Sequence, residues 1–305
     1  MLDWVLHLLQ LITLLLAQRV LRPSADFLMT DRLIQPIAAI YTESTCVHSL
    51  SLKRCQLNGE RLQNILSYSL RMFEKAEKGF FWTGVVLSQV FGLICVILAG
   101  VRGGAFNNGF DWNDSRKVFN FHVLFMVLGF VFLYGDSILI YRIFRDKPKK
   151  PLKIAHAVLL LLALLFASIG VRAAYERRKN ATPMMLYSIH SWLGIIVFIA
   201  FSLQWIFGLA FFLIPQTPME PRSRYLPFHT GFGLFLHCLV MLVCLCGITT
   251  VNVSPGDYSQ LPPRALLTNF LGLFIVGFGA LVFFLVNYAA YRRVEVVIER
   301  DDAIK

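Results

Sequence analysis

Six long apolar stretches dominate this sequence and constrain its fold more than any other feature. Each holds about 20 or more residues, the length that a helix needs to cross the hydrocarbon core of a bilayer. They cover residues 80–101, 119–141, 154–174, 186–214, 228–251 and 266–291. Hydrophobic residues make up 57% of the chain and charged residues only 15%, which is far more apolar than a soluble domain requires. The sequence therefore predicts an integral membrane protein.

The connections between these stretches are short, so consecutive helices are predicted to run antiparallel. The expected fold is an all-α integral membrane six-helix bundle in a lipid bilayer, formed by residues 79–292. Residues 1–78 precede it as an N-terminal extension of unknown role, because the apolar run at 5–17 is too short to span a membrane. Residues 293–305 follow it as a C-terminal tail.

The formal net charge of +11 is distributed in a way that indicates topology. The chain has no basic stripe interleaved with stacking aromatic residues and no recognition module, so a nucleic-acid partner is not expected. Basic residues are concentrated instead in the loop 142–153 and in the tail, which lie on one side of a six-helix bundle. Positively charged loops face the cytoplasm. Both termini are therefore expected to be cytoplasmic.

Three N-glycosylation patterns, at Asn113, Asn180 and Asn252, fall on the opposite side. Such patterns are acceptors only in the secretory lumen, and a nearby proline weakens the second and third. All three agree with the charge rule. The expected location is an endomembrane, such as a vesicle or a lysosome-like compartment, or the plasma membrane.

Four of the seven histidines begin four consecutive helices. His122, His156, His190 and His229 each lie within a few residues of the start of the second to the fifth apolar stretch. Because antiparallel helices start at alternating ends, His122 and His190 are expected to share an outer layer, and His156 and His229 an inner one. Two facing imidazoles are what a haem iron takes as axial ligands.

Two other interpretations of these histidines remain open. A zinc site needs more ligands, and no Cys or carboxylate is placed to complete a tetrahedral set beside either pair. Polar residues in membrane helices also bridge neighbouring helices, so the alternative function is that of a haemless membrane transporter or scaffold. Two pairs at two depths favour haem, because ionisable groups in a membrane are costly and usually functional. Haem iron with two axial ligands is suited mainly to one-electron transfer.

Four further positions carry narrower expectations. Gly194 and Gly233 each follow a histidine by four residues, one turn along the same face, where a missing side chain lets a flat macrocycle approach or lets helices pack closely. Asp136, inside the second stretch, is expected to pair with a basic loop residue. His237 is expected to form a hydrogen bond within the bundle rather than to bind a metal.

Five short motifs surround the histidines. They are FNFH at 119–122, LIYR at 139–142, KIAHA at 153–157, LYSIHSW at 186–192 and RSRYLPFH at 222–229. Together they resemble the cytochrome b561 family of ascorbate-reducible, two-haem transmembrane reductases, over about residues 80–291. The resemblance implies two haem b cofactors whose irons are held by the pairs His122/His190 and His156/His229. It also implies electron transfer from cytoplasmic ascorbate to monodehydroascorbate or a ferric complex on the other side, and therefore an oxidoreductase such as a ferric reductase.

The resemblance also indicates where the substrates bind. For ascorbate it points to the cation-rich cytoplasmic mouth, with Lys149, Lys153, Arg224 and Arg142, where a monoanion is attracted by charge. On the outer side the usual family pattern is replaced by the cationic stretch 175–179. That stretch is expected either to hold an anionic acceptor, such as a ferric chelate or monodehydroascorbate, or to be a solvated loop. No covalently reacting residue is predicted, and the sequence leaves open whether the chain forms a homodimer.

Overall fold

The fold is described by a computed structural model for residues 52–179, 186–214 and 217–293. Within these ranges every regular element is helical. The α-helices cover Leu52–Val101, Val118–Met126, Tyr134–Ile143, Lys149–Arg178, Ile189–Gly208, Met219–Val253 and Pro263–Asn287. Three π-helical stretches extend or join them, at Arg102–Phe106, Val127–Leu133 and Leu209–Leu213, and short 3-10 helices cover Tyr258–Gln260 and Ala289–Tyr291.

Six helical segments in the described part of the chain are long and apolar enough to cross a membrane. We number them spans 1 to 6: Ser67–Phe106, Val118–Ile143, Lys149–Arg178, Ile189–Leu213, Met219–Val253 and Pro263–Asn287. The predicted all-α class with six spans is confirmed. We call the end of the bundle at which span 2 begins the outer end, and the opposite end the inner end. Which end faces the cytoplasm remains a prediction.

Residues Lys78–Arg293 form one compact unit, and the sites discussed below lie within it. The described residues 52–77 belong to a second unit. Most of the predicted N-terminal extension, the tail beyond Arg293 and the glycosylation pattern at Asn180 lie outside the described residues. The division into extension, membrane domain and tail therefore stays a prediction.

The contacts between spans bring the histidine-bearing helices together. Span 2 packs against span 3, span 4 packs against span 5, and span 6 packs against spans 2 and 5. Gly129 allows the close approach of spans 2 and 3, because a β-carbon there would lie 2.7 Å from the carbonyl oxygen of Ala163. Buried apolar side chains, among them Val131, Phe201 and Ile275, fill the interior. Spans 2 to 5 thus lie in one continuous core.

The outward faces of the spans carry large apolar side chains. Leu87, Ile97, Leu165, Ile199 and Leu273 are all exposed on the surface of the bundle. If this surface were exposed to water, it would promote aggregation. Lipid tails are as apolar as leucine side chains, so the same surface is compatible with a bilayer. The surface of the bundle is therefore suited to a bilayer.

Asp136 does not pair with a basic residue of the inner loop, so that prediction is wrong. Its Oδ1 accepts a hydrogen bond of 2.7 Å from Nε2 of Gln89 on span 1. Asp136 precedes Arg142 by six positions in the sequence, which is about 9 Å along a helix. The carboxyl group therefore lies deeper than the loop cations, and a neutral amide at the same depth is its partner.

His237 is fully buried, but it lacks the predicted hydrogen bond. Neither of its ring nitrogens forms a hydrogen bond of normal geometry with the residues that the structure describes, and the backbone of Val131 offers only a weaker polar contact. The ring packs edge-on against Tyr134, with centres 5.2 Å apart, and lies 6.2 Å from the ring of Phe278. Span 5 therefore presents His237 to a mainly aromatic environment.

Candidate functional site

The bundle brings the four histidines together in the predicted pairs. His122 of span 2 and His190 of span 4 meet near the outer end, with ring centres 6.0 Å apart and ring planes at 89°. His156 of span 3 and His229 of span 5 meet near the inner end, with ring centres 6.3 Å apart and planes at 71°. We call these the outer pair and the inner pair.

Both separations suit a metal ion held between two imidazoles. An imidazole nitrogen binds a transition metal at about 2 Å, and the ring centre lies about 1 Å further out, so two rings on opposite sides of one ion have centres about 6 Å apart. Among the described residues, no group of three His, Cys, Asp or Glu side chains is placed to hold a metal. Two imidazoles without a further protein ligand fit a haem iron, whose macrocycle fills the other positions, better than they fit zinc.

Three of the four histidines are oriented by a backbone carbonyl group. In each, Nδ1 faces a carbonyl oxygen of a neighbouring span: Gly170 for His122 at 3.0 Å, Ser137 for His156 at 2.7 Å, and Val243 for His190 at 2.9 Å. A carbonyl oxygen only accepts hydrogen bonds, so Nδ1 carries the proton and Nε2 keeps its lone pair. Such a partner fixes both the tautomer and the orientation of a metal-binding imidazole.

His229 has a different partner, the buried side chain of Gln204 on span 4. Its Nδ1 lies 3.1 Å from Nε2 of Gln204, and the same Nε2 donates to the backbone oxygen of His229 at 2.8 Å. The hydroxyl of Tyr225 donates to Oε1 of Gln204 at 3.4 Å. Sequence reasoning missed Gln204, because one glutamine in an apolar helix does not reveal which residue it faces.

Two glycines other than Gly194 and Gly233 make room for the imidazoles. A β-carbon at Gly247 would lie 2.8 Å from Cε1 of His190, and one at Gly208 would lie 3.0 Å from Cε1 of His229. Gly208 follows His190 in span 4 at the same interval at which Gly247 follows His229 in span 5. That interval is about five helical turns and about 27 Å. Spans 4 and 5 therefore face each other with a histidine against a glycine at both ends.

The predicted glycines have other surroundings. Gly194 lines the cavity beside the outer pair, and a β-carbon there would approach no atom more closely than Cγ1 of Val243, at 3.9 Å. The backbone oxygen of Gly233 accepts a hydrogen bond of 2.7 Å from the hydroxyl of Tyr134. Gly194 thus borders the outer site, whereas Gly233 belongs to the packing between spans 2 and 5.

A cavity of about 290 Å³ lies beside the outer pair. Both histidines line it together with many apolar side chains, and no Asp or Glu of the described residues does. Two cations line it as well, Arg102 at the end of span 1, which is buried, and Arg178 at the end of span 3. Arg178 donates to the hydroxyl of Tyr187 at 3.1 Å and lies 4.5 Å from the centre of its ring. The outer site thus combines an apolar slot with two positive charges.

The cationic stretch 175–179 is helical up to Arg178, because span 3 extends that far. Glu176 forms ion pairs with Arg172 and Lys179. Tyr175 and Arg178 line the outer cavity. Part of this stretch therefore borders the outer site, and part of its positive charge is neutralised by Glu176.

A smaller cavity, of about 40 Å³, lies beside the inner pair. Lys153 lines it, and its Nζ donates to the backbone oxygen of Phe212 at 3.3 Å. Lys149 is exposed at the first residue of span 3, one turn before Lys153. The structure therefore brings one predicted ascorbate residue to the inner site and a second to the surface beside it.

The two predicted arginines of the inner mouth bind protein groups. Arg224 is exposed and pairs with Glu220 at 2.6 Å. Arg142 donates to the backbone oxygen of Val286 at 2.5 Å and to that of Tyr291 at 3.4 Å. Val286 lies in the last turn of span 6, where helical carbonyls lack intrahelical partners, and Tyr291 ends the short 3-10 helix that follows. Arg142, in the last turn of span 2, therefore joins the end of span 2 to the end of span 6 and the short helix after it.

Comparison with known proteins identifies a family model and several relatives that match this chain. A family model described as eukaryotic cytochrome b561 matches residues 121–254, which include both histidine pairs. The transmembrane ascorbate-dependent reductase CYB561 of Sus scrofa is 39% identical over 211 residues, a match that covers 68% of this chain and 83% of that relative. The lysosomal membrane ascorbate-dependent ferrireductase CYB561A3 of Danio rerio is 36% identical over 229 residues, covering 71% and 92%.

Proposed function

The chain belongs to the eukaryotic cytochrome b561 family, and on that premise we propose that it moves electrons across a membrane through two haem b groups. The electron donor is ascorbate at the inner, cytoplasmic end. The acceptor is monodehydroascorbate or a ferric complex at the outer end. The protein is thus an oxidoreductase, as the names of its relatives also indicate.

The observation that carries this proposal is the placement of the two histidine pairs. Along span 5 the inner pair and the outer pair are separated by the stretch from His229 to Gly247, about 27 Å of helix. That length is close to the hydrocarbon thickness of a bilayer, about 30 Å. Two redox groups so placed lie near opposite faces, so donor and acceptor can stay in separate aqueous phases.

The residues present fit two haem groups. A haem held by two imidazoles supplies one-electron transfer and offers no iron position to a substrate. The outer pair would hold one such group and the inner pair the other. Haem b carries two carboxylates, and the buried Arg102, which lines the outer cavity, would hold one of them. Charge-assisted bonds between Arg and carboxylate are among the strongest hydrogen bonds in proteins.

Ascorbate would bind at the inner mouth, where the half-buried Lys153 lines the inner cavity. Lys149 adds a second positive charge on the same helical face, and Arg224, paired with Glu220, lies near the start of span 5. Arg142, which binds the end of span 6, would act mainly by holding the loop that leads to Lys149. A monoanion is attracted to such a mouth by charge.

At the outer end, the acceptor would meet Arg178, Tyr187 and Tyr175 at the rim of the outer cavity. The names of the relatives include a ferrireductase of the lysosomal membrane. An anionic ferric chelate or monodehydroascorbate in an endomembrane compartment would suit this cationic rim.

The proposal is tested by a visible spectrum of the purified protein. We expect two haem groups per chain, oxidised as isolated and reduced when ascorbate is added, with a strong α-band in the reduced state. Re-oxidation by a ferric chelate would then identify the acceptor class. A haemless transporter or scaffold would show no α-band, and that result would contradict the proposal.

Lys153→Ala is expected to raise the ascorbate concentration needed for half-reduction by about fivefold, with both haem bands intact. A partly buried cation contributes on the order of 1 kcal/mol to holding an anion, and 1.4 kcal/mol is a factor of ten. Reduction is followed by stopped flow in vesicles that expose the inner end. Lys147→Ala is the control, because Lys147 is exposed in the loop just before span 3 and its charge is screened. An equal effect of both variants would indicate general surface potential and contradict the site.

A further inference from the structure

We propose that Gln204 is a positioning residue that raises the reduction potential of the inner haem by giving His229 a weaker hydrogen-bond acceptor than the other three ligands have. The inference rests on the proposed function, because it takes a haem at the inner pair. Gln204 would contact neither substrate nor iron. It acts through the imidazole ring of His229, from which its Nε2 lies 3.1 Å.

The hydrogen-bond partners of the four histidines lie at nearly the same spacing from the histidine of their own span. Each ligand is paired with a residue that lies 14 or 15 positions after a histidine of the neighbouring span: Gly170 after His156, Ser137 after His122, Val243 after His229 and Gln204 after His190. At three of these positions the backbone oxygen accepts the bond. At the fourth, the side-chain amide of Gln204 takes the place of that oxygen.

An amide side chain cannot satisfy both polar groups that His229 presents to it. A neutral imidazole that binds iron through Nε2 carries its proton on Nδ1, so its partner must be an acceptor. The structure places Nε2 of Gln204, a donor, against Nδ1, because that nitrogen also donates to the backbone oxygen of His229 at 2.8 Å. If the amide turned its Oε1 to Nδ1, two acceptor oxygens would face each other across the same short distance.

In the observed orientation the amide therefore offers Nδ1–H of His229 no acceptor. In the turned orientation Oε1 would accept the bond, but against the repulsion of the backbone oxygen, so this bond would still be weaker than one to a backbone carbonyl. A strong bond from Nδ1–H to an acceptor increases the basicity of a metal-bound imidazole. A more basic axial ligand favours the ferric state, since the ligands and their hydrogen bonds set the potential of haem iron. His229 is therefore the least basic of the four ligands, and its haem is easier to reduce than it would be with a carbonyl partner.

The test compares two substitutions of similar length in the purified holoprotein. In Gln204→Glu, a neutral carboxyl group can accept from Nδ1–H and donate to the backbone oxygen, and an ionised one can accept from Nδ1–H. In Gln204→Met, no acceptor of comparable strength remains. The two reduction transitions are measured by potentiometric titration of the α-band. A His190→Ala background, which retains only the inner haem, assigns the transitions.

We expect Gln204→Glu to move the inner transition to lower potential, Gln204→Met to leave it in place or raise it, and neither to move the outer one. Equal shifts of the inner transition in both variants would reveal a packing effect and overturn the inference. An inner transition that stays in place in Gln204→Glu, or a shift of the outer transition in either variant, would overturn it as well.

If the Gln204 variants lose the inner haem, the inference is tested instead by the potential of the inner transition in Tyr225→Phe. The hydroxyl of Tyr225 bonds to Oε1 of Gln204 and so favours the orientation that points Nε2 at His229. Its removal frees the amide to turn, so the inner transition should fall in potential. No shift in Tyr225→Phe would then contradict the inference. A wild-type protein without haem would overturn both this inference and the proposed function, whereas two haems with unshifted variants would overturn this inference alone.

Discussion

Replacing either histidine of the outer pair with alanine is expected to remove one haem, and the same one in both cases. His122→Ala and His190→Ala each leave one imidazole on the outer iron, and its axial ligation is then incomplete. His156→Ala and His229→Ala should remove the other haem. The haem content falls from two per chain to one, as measured by the haem-to-protein ratio, and the potential of the surviving transition identifies which haem remains.

His237→Leu serves as the control, because His237 is buried in the same bundle and has no paired imidazole within the described residues. It should keep both haem groups. If His122→Ala and His190→Ala left different survivors, the assignment of ligands to pairs would be refuted. Loss of both haem groups in all four alanine variants would show instead that the sites do not assemble independently.

The second large effect is expected from filling the space beside an imidazole. Gly247→Leu should abolish the outer haem, and Gly208→Leu the inner one. Even the first atom of a side chain would lie 2.8 Å from the ring of His190 or 3.0 Å from that of His229, so each ring must leave its position. Overpacking a tight core costs about 1–3 kcal/mol of stability. The protein can relieve this strain by moving the imidazole out of its position. The α-band should fall by about half in each variant.

Gly100→Leu is the matched control, since a β-carbon at Gly100 on span 1 would have no neighbour within 4 Å. It should retain the full α-band. If Gly247→Leu and Gly208→Leu also retained it, the imidazoles would not occupy the positions that the structure gives them. If both variants lost the same haem, the correspondence of each glycine with one site would be refuted.

The sequence predicts the histidine pairs because the relevant information is local. Four histidines at the starts of four apolar stretches, together with the antiparallel order of short-looped helices, are enough to place His122 with His190 and His156 with His229. The length of an apolar run similarly indicates a span. These inferences require no knowledge of how one helix is rotated against another.

The partners of the histidines could not be predicted in this way, because they depend on rotation and register between spans. Gly208, Gly247 and Gln204 lie several turns away from the paired histidine of their own helix, and only packing brings them against a ring on another helix. Asp136 shows the same difficulty, since its partner on span 1 is distant in sequence. For Gly194 and Gly233, spacing within one helix left both macrocycle approach and helix packing open, and the structure places Gly194 at the outer cavity and Gly233 between spans 2 and 5.

The start of span 5 was also missed, for a different reason. The sequence predicts a helix from residue 228, whereas the structure begins it at Met219. Charged residues interrupt the apolar pattern there, although Arg224 and Glu220 pair one turn apart, an arrangement that supports a helix. Pro227 lies inside this helix. A polar first part of a helix and an internal proline both argue for a later start when the sequence is considered alone.

The antiparallel spans 4 and 5 fix the distance between the outer pair and the inner pair. In each span the interval from the paired histidine to the glycine that faces the other span's histidine is the same. It is close to a whole number of helical turns, about five. One residue added between His190 and Gly208 would rotate one end by about 100° relative to the other, so only one site could be kept. The distance between the two sites can therefore change only if both spans gain or lose about one helical turn together. The bilayer thickness that the protein can bridge then changes by the same discrete amounts.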